Sequence, residues 1–385
     1  MYRGLSGILL LVACSAFAQG NLTPTEIELK SYDDYQNEKW DEVIAVVNQA
    51  HEQGIDYYYL EARIGTAWFK KGNYRKAANA FRKAITFNQS SYAKENLYYS
   101  LLYSGDENAA RMEALKFGDT FREKVNEKKI NWLDFAYAEG GLKVSTDDPP
   151  NGNISYGTLG LEHQFGGRLS IYHAFTYLQQ PKYGNKLTQK QYFIQPKVQI
   201  TQNLSVSAGL HILGMSFADS TYTDWCAAIA VKEKLAFLDI VPFLAFANVN
   251  GYHIMQAGAS VSWYPFGNLN FYGTSTIDFH HDSLQNHVVL KQSLTVKTFD
   301  YLWLTGEVAK NDELLRVSGD NLSVLNNSYD LNNYQYSLMA TVPVSKRISL
   351  YLLFMKENKN LKNENTIGTL TYKFNTFIGG LKFNL

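Results

Sequence analysis

The sequence predicts a chain in two parts, a helical region followed by a transmembrane antiparallel β-barrel of about fourteen strands. Three observations carry this. Apolar residues recur at helical spacing up to about residue 121 and with a period of two beyond residue 132. Long and short connections alternate between the period-two runs. Tyrosine and phenylalanine number 27 and 22, more than an ordinary core requires.

The bulk properties set limits first. The 385 residues carry 36 basic and 36 acidic side chains, so the formal charge is zero and neither a nucleic-acid binder nor a polybasic membrane-surface protein is expected. The opening "MYRGLSGILLLVACSAFAQG" has Arg3, a short apolar run from Ile8 to Ala13, and the small-residue pattern Ala16-Phe17-Ala18. It reads as a secretory signal peptide over residues 1–18, too short to span a bilayer. Leu11-Val12-Ala13-Cys14 also fits a lipidation site. If Cys14 leaves with the signal, Cys226 is the only cysteine, and no internal disulfide or cysteine metal cluster can form.

Residues 22–125 form the helical part, and shifting the chain by 34 positions aligns it with itself. Trp40, Val43, Val47 and Ala50 then fall on Tyr74, Ala77, Phe81 and Ala84. The second copy carries Ile64-Gly65, Trp68, Gly72, Tyr74, Ala77, Phe81 and Ala84, and a worn third copy carries Gly105, Ala110, Ala114 and Phe117. This pattern resembles a tetratricopeptide repeat, departing from it at Glu61 and Gln89. The resemblance implies helices that approach closely at Gly65 and Ala77, and about three repeats suffice for a stack to bury its faces. Its aromatic residues serve core packing or a concave groove for a periplasmic protein partner. Tyr57, Tyr58 and Tyr59 are the candidate contacts for that partner.

A charged linker, "REKVNEKKIN", leads to residues 131–385, where short runs alternate apolar with polar or small residues. In "LSVSAGLHIL", Leu204, Val206, Ala208, Leu210 and Ile212 share one face, and Ser205, Ser207, Gly209 and His211 the other. Taken singly, such runs suit a soluble sandwich or barrel as well. The connections distinguish them. "FGGR", "TQN", "AFLD", "PFGN", "TFD" and "PVSKR" alternate with longer segments such as "QQPKYGNKLTQ", "SFADSTYT" and "KNDELLRVSGDNLSVLNNSYDLNN". Outer-membrane barrels sort their loops this way, with an even strand number. The expected location is therefore the outer membrane of a Gram-negative cell, with outer-membrane lipid around the barrel and the repeats in the periplasm.

The same architecture accounts for the aromatic excess. Trp132, Tyr137, Tyr156, Phe165, Tyr172, Tyr192, Trp225, Trp263, Tyr264, Phe271, Tyr301, Trp303 and Tyr351 lie near strand ends, where girdles at the lipid headgroups are expected. Lipid-facing apolar residues around a polar lumen also accommodate a mean hydropathy of −0.26. The tail "NTFIGGLKFNL" reads as the barrel-closing strand. With Gly380, Phe383 and Leu385 it resembles the terminal signal of outer-membrane barrels, although phenylalanine is more usual at the last position.

Catalytic and metal chemistry find little support. In "FHHDS", His281 and Ser283 share a strand face, an arrangement similar to the His and Ser pair of outer-membrane phospholipases, but no third orienting group or oxyanion site accompanies it. His287 adds no recognisable metal-ligand spacing. No catalytic residue, metal site or cofactor is expected. The candidate lumen residues are Gln195, Lys197, Gln199, Ser205, Ser207, Ser260, Ser262, Lys291, Lys297 and Glu307, a polar set of mixed charge.

A signal peptide, a few tetratricopeptide-like repeats and a C-terminal barrel resemble the YaiO-type outer-membrane proteins over nearly the whole chain, and a Tyr- and Asn-rich barrel has the composition of the Bacteroidetes. The order of parts is also similar to that of exporters of cellulose and poly-N-acetylglucosamine, which carry many more repeats. The resemblance implies a barrel that conducts or exports a solute, with saccharides as one class, while the repeats dock a partner. The alternative is an anchor or assembly scaffold with a filled barrel.

Overall fold

The computed structural model describes residues 22–127, 132–146, 152–249, 251–282, 286–312, 315–318, 321–325, 331–361 and 370–385. The signal-peptide expectation, Cys14 and Ser283 lie outside these residues.

Among the described residues seven helices come first: α1 Pro24–Gln36, α2 Trp40–Glu52, α3 Tyr58–Lys70, α4 Tyr74–Phe87, α5 Ser91–Tyr103, α6 Glu107–Phe117 and α7 Asp119–Lys124. Their starts are written locally. Thr23 and Glu26 form a reciprocal capping box on either side of Pro24, and the Asn73, Ser90 and Asp106 side chains accept from the third backbone N–H of α4, α5 and α6.

The repeating positions of the sequence are the packed ones. Val43, Val47, Ala50, Ala77, Phe81, Ala84 and Ala114 are fully buried. A Cβ built at Gly65 would lie 3.0 Å from the Phe81 ring, so α3 and α4 meet where the side chain of one helix is missing. One core runs from α1 to α4 and a second from α4 to α7. The turns that carry Gly72 and Gly105, at φ 74° and 81°, need the left-handed conformation that glycine adopts freely.

Fourteen strands close into an antiparallel barrel. They are β1 Leu133–Ser145, β2 Ile154–Phe165, β3 Leu169–Lys182, β4 Asn185–Gln199, β5 Leu204–Phe217, β6 Ser220–Lys234, β7 Leu238–Val249, β8 Tyr252–Trp263, β9 Phe271–Asp282, β10 Asn286–Phe299, β11 Leu302–Asp312, β14 Leu331–Pro343, β15 Ile348–Leu361 and β16 Leu370–Asn384. Two further strands, β12 Leu315–Ser318 and β13 Asn321–Leu325, pair as a separate hairpin between β11 and β14. The tail closes the ring: β16 pairs with β15 and with β1, in a register that sets Gly379 against Gly140.

Two expectations need correction. The first concerns connections read as long loops. β3 and β4 remain paired through "QQPKYGNKLTQ" as far as Lys182 and Asn185, and only Tyr183 and Gly184 turn, at φ 48° and 76°. β5 and β6 likewise stay paired to Phe217 and Ser220. Polar side chains mark where a strand leaves apolar surroundings, whereas backbone pairing needs no apolar surroundings to continue.

The second concerns the aromatic girdles. Trp132, Phe165, Tyr192, Trp225 and Tyr301 are exposed, and outward Trp263 packs edge-on against Phe271. Tyr137, Tyr156, Tyr172, Trp303 and Tyr351 instead occupy inward positions, and Tyr264 is buried. Proximity to a strand end does not determine parity, and parity determines the face. Three of these inward rings cover glycines: Tyr156 over Gly141, Tyr172 over Gly160 and Tyr351 over Gly380.

Candidate functional site

The barrel wall is two-sided, and strand alternation makes it so. Outward positions expose Leu159, Phe175, Leu210, Ile212, Leu244, Ile277, Leu290, Leu338, Leu352 and Phe377. The expected lumen residues all fall on inward positions. Gln195, Gln199, Ser205, Ser207 and Ser260 are buried, and Lys197, Ser262, Lys291, Lys297 and Glu307 are partly so. Hydroxyl pairs link neighbouring strands, with Ser260 to Thr276 and Ser262 to Thr274 each at 2.8 Å and Thr295 to Thr305 at 2.9 Å. Lys297 Nζ turns to Asp300 at 3.3 Å, at the short-connection end.

Sequence reasoning missed most of the inward charge. Lys143 Nζ stands 2.6 Å from the Glu357 carboxylate, which Lys359 also approaches at 3.8 Å. The Tyr137 and Tyr351 hydroxyls both donate to Glu139, and their rings stack across the closing seam. Most of these residues lie in glycine-rich or polar stretches and Tyr351 in the apolar run "LYLLFM", none with an obvious apolar alternation, so the face each occupies was readable only from the register. The interior is also chemically divided. Phe193, Leu213, Cys226, Val241, Phe243 and Ile254 belong to an apolar inward cluster on β4–β8.

The helices sit on the short-connection end of the barrel. Asn268 donates to the Gly72 carbonyl at 3.0 Å, and a Cβ at Gly105 would meet Leu269 at 2.8 Å, so two interhelical turns share one barrel connection, residues 264–270. Arg75 Nη1 reaches Asp239 at 2.7 Å, and its guanidinium lies 3.7 Å above the Tyr264 ring centre. Lys234 Nζ pairs with Asp106 at 2.5 Å and Arg111 with Asp134 at 2.7 Å. Asp239 falls in "AFLD", read from sequence as a turn, and a helix-borne arginine gives no sequence signal of a partner 164 residues away.

The three candidate partner contacts separate. The Tyr57 hydroxyl donates to Glu28, and burial together with that carboxylate drives its pKa upward. Tyr58 bonds Ser90 at 2.5 Å. Tyr59 alone of the three is exposed, with its ring edge on Tyr58. Beside them, Arg63 donates to Glu28 at 2.6 Å, and its hydrogen bond holds the Glu28 carboxyl below the ordinary value.

The other candidate clusters have evident structural partners. His281 is exposed and bonded to Asn286, and its neighbour His280 turns inward to stack on His287 at 4.6 Å. His51, Asp56 and Glu61 converge in the helical region, but Lys83 Nζ lies 2.5 Å from Asp56 and 2.9 Å from Glu61 and already supplies a cation there. Burial raises the Glu61 pKa above its ordinary value.

No protein-family model matches the chain, and no curated protein matches it either. Among solved structures, the chain is similar to the P. putida toluene transporter TodX, at 8% identity and a TM-score of 0.46, over 66% of this chain and 90% of that one. A structure described as a bacterial polysaccharide outer membrane secretin gives 12% identity and a TM-score of 0.42, over 67% and 100%. The Acinetobacter baumannii outer membrane protein Omp33 gives 10% and 0.39, over 66% and 99%. These are distant likenesses of form.

Proposed function

We propose that this chain is an outer-membrane barrel of a Gram-negative cell that passes a small solute, a saccharide in class, with its helices on the periplasmic side as tetratricopeptide-like repeats of the YaiO type that dock a partner protein. One observation carries this reading: a closed wall whose outward positions are apolar and whose inward positions carry hydroxyls, amides and charges. An exposed apolar surface encircling a barrel suits hydrocarbon, and closure leaves no backbone edge unpaired there. The fourteen-strand parity brings both barrel ends to one side. The short connections and the docked helices share that side, which suits a periplasmic face.

The test combines location and passage. Membrane fractionation is expected to recover the protein in the outer membrane, as a band that migrates differently before and after boiling. Planar-bilayer recordings of the purified chain are expected to give discrete conductance steps that fall when an oligosaccharide occupies the lumen.

A second reading, an anchor with a filled barrel acting through its repeats, is favoured by two features. Gln256, Gln335 and Lys359 are almost wholly buried despite facing inward, and β13 lies against β5, on the opposite side of the ring from β11 and β14. Silent bilayers with a correctly folded protein would select this reading over the first.

A further inference from the structure

We propose that the junction between the helices and the barrel is a binding site for a phosphate-class anion. A cavity of about 200 Å³ opens there between α4, α5 and the connections that follow β4 and β6. Arg75, Arg82 and Lys234 line it, with Asp106 as the one acidic residue.

The charges around it do not balance. Arg75 is taken by Asp239, which Lys232 also approaches at 3.3 Å, and Lys234 is taken by Asp106. Two carboxylates therefore serve two of the three cations that line the cavity, and Arg82 is the third. Its Nη1 donates to Asn79 at 2.8 Å, its Nε is buried without a partner, and no carboxylate stands within ion-pair distance of it among the described residues. Burial lowers its pKa, while Glu113 and Asp106 act on it only through space. A guanidinium presents five donors in a rigid fork, and its natural complement is a planar or tetrahedral oxyanion that accepts two of them. Asn79 adds a polar side chain at the same wall, and the volume admits a phosphate together with an ester substituent.

Two sources offer that chemistry. One is a free phosphate or phosphate monoester reaching the junction from solution. The other is the phosphodiester of a lipid headgroup, because Leu235 and Phe237, both exposed, stand on the connection that lines the pocket and give acyl chains an apolar surface. The lipid source rests on the membrane placement proposed above, and the free-anion source does not.

The full chain in a non-ionic detergent is titrated calorimetrically with inorganic phosphate, and separately with short-chain phosphatidylglycerol. The expected result is saturable binding of at least one probe, weakened about tenfold or more in Arg82→Gln, weakened less in Asn79→Ala and unchanged in the exposed control Lys70→Gln. Binding of the lipid alone names the headgroup as the source, and binding of both shows that the phosphate itself is recognised. Binding of neither probe to the wild-type chain overturns the proposal, as does binding undiminished in Arg82→Gln. The boiled and unboiled gel mobilities of each variant establish that it is folded. A barrel that fractionates outside the outer membrane but binds phosphate through Arg82 refutes the membrane placement and leaves the anion site standing.

Discussion

Arg75 on α4 and Asp239 on β7, separated by 164 residues, form an ion pair of 2.7 Å whose side chains are 10% and 3% exposed. The guanidinium also lies on the Tyr264 ring, and Lys232 shares the same carboxylate. The helical region and the barrel are thus joined by a desolvated charge cluster.

Removing the acid from this cluster is expected to cost more than removing the arginine. Asp239→Asn takes the shared carboxylate from Arg75 and Lys232 at once, whereas Arg75→Met leaves Asp239 with Lys232. Breaking a buried pair typically costs about 3–5 kcal/mol. Hydrogen exchange should register this as faster exchange of the α4 amides, with Asp239→Asn above Arg75→Met and both above wild type. Equal rates in all three proteins would mean that the helices are held elsewhere.

The contact between Gly65 and Phe81 sets the spacing of α3 and α4. Gly65→Val places a branched side chain against a ring already 3.0 Å from the position of a Cβ, and a loss of about 1–3 kcal/mol is expected. The double variant Gly65→Val with Phe81→Leu should lose less than the sum of the two single variants. Thermal unfolding of the full chain in detergent, followed by circular dichroism at the helix band, reads both.

At the closing seam the Tyr351 ring lies over Gly380, where a Cβ would fall 2.3 Å from the ring. Gly380→Ala must push that ring away and disturb its contacts with Tyr137 and Glu139. The temperature at which the unboiled gel band disappears is expected to fall, and Tyr351→Ala combined with Gly380→Ala should lose no more than Tyr351→Ala alone.

Acid should loosen the helical region through Glu28. Its carboxyl is held below 4.5 in the folded protein, chiefly by Arg63. The unfolded chain therefore takes up the proton first, so the Glu28 contribution is present above about pH 4.5 and is lost as pH falls through the depressed value. Glu61 runs the other way: its raised pKa means that the same acid relieves a cost of burial. Chemical denaturation of the helix signal between pH 6 and pH 3 should be less acid-sensitive in Arg63→Met than in wild type.

Much of the architecture was legible because period and parity are written residue by residue. The face of Ser205 or Gln199 follows from its neighbours, and the packing role of Ala77 and Phe81 follows from a 34-residue shift. What escaped depends on contacts between distant segments. Tyr137 and Tyr351 look like girdle residues until the register of β1, β16 and β15 puts them inside, over or beside glycines. Arg75, Arg82 and Asp239 look like solvated surface charge and a turn residue until the helices and the barrel are laid together. The strand ends beyond residue 179 were also hidden, because pairing continues there without any apolar signal.

Those extended hairpins have a consequence for whatever meets this end of the molecule. With Lys182 still paired to Asn185, and Phe217 to Ser220, these two hairpins are stiff ribs tipped by tight reversals. Their relief is fixed by ladder hydrogen bonds, so a visiting molecule docks against set ridges there, and sequence can drift along their flanks far more readily than it can insert or delete at their crests.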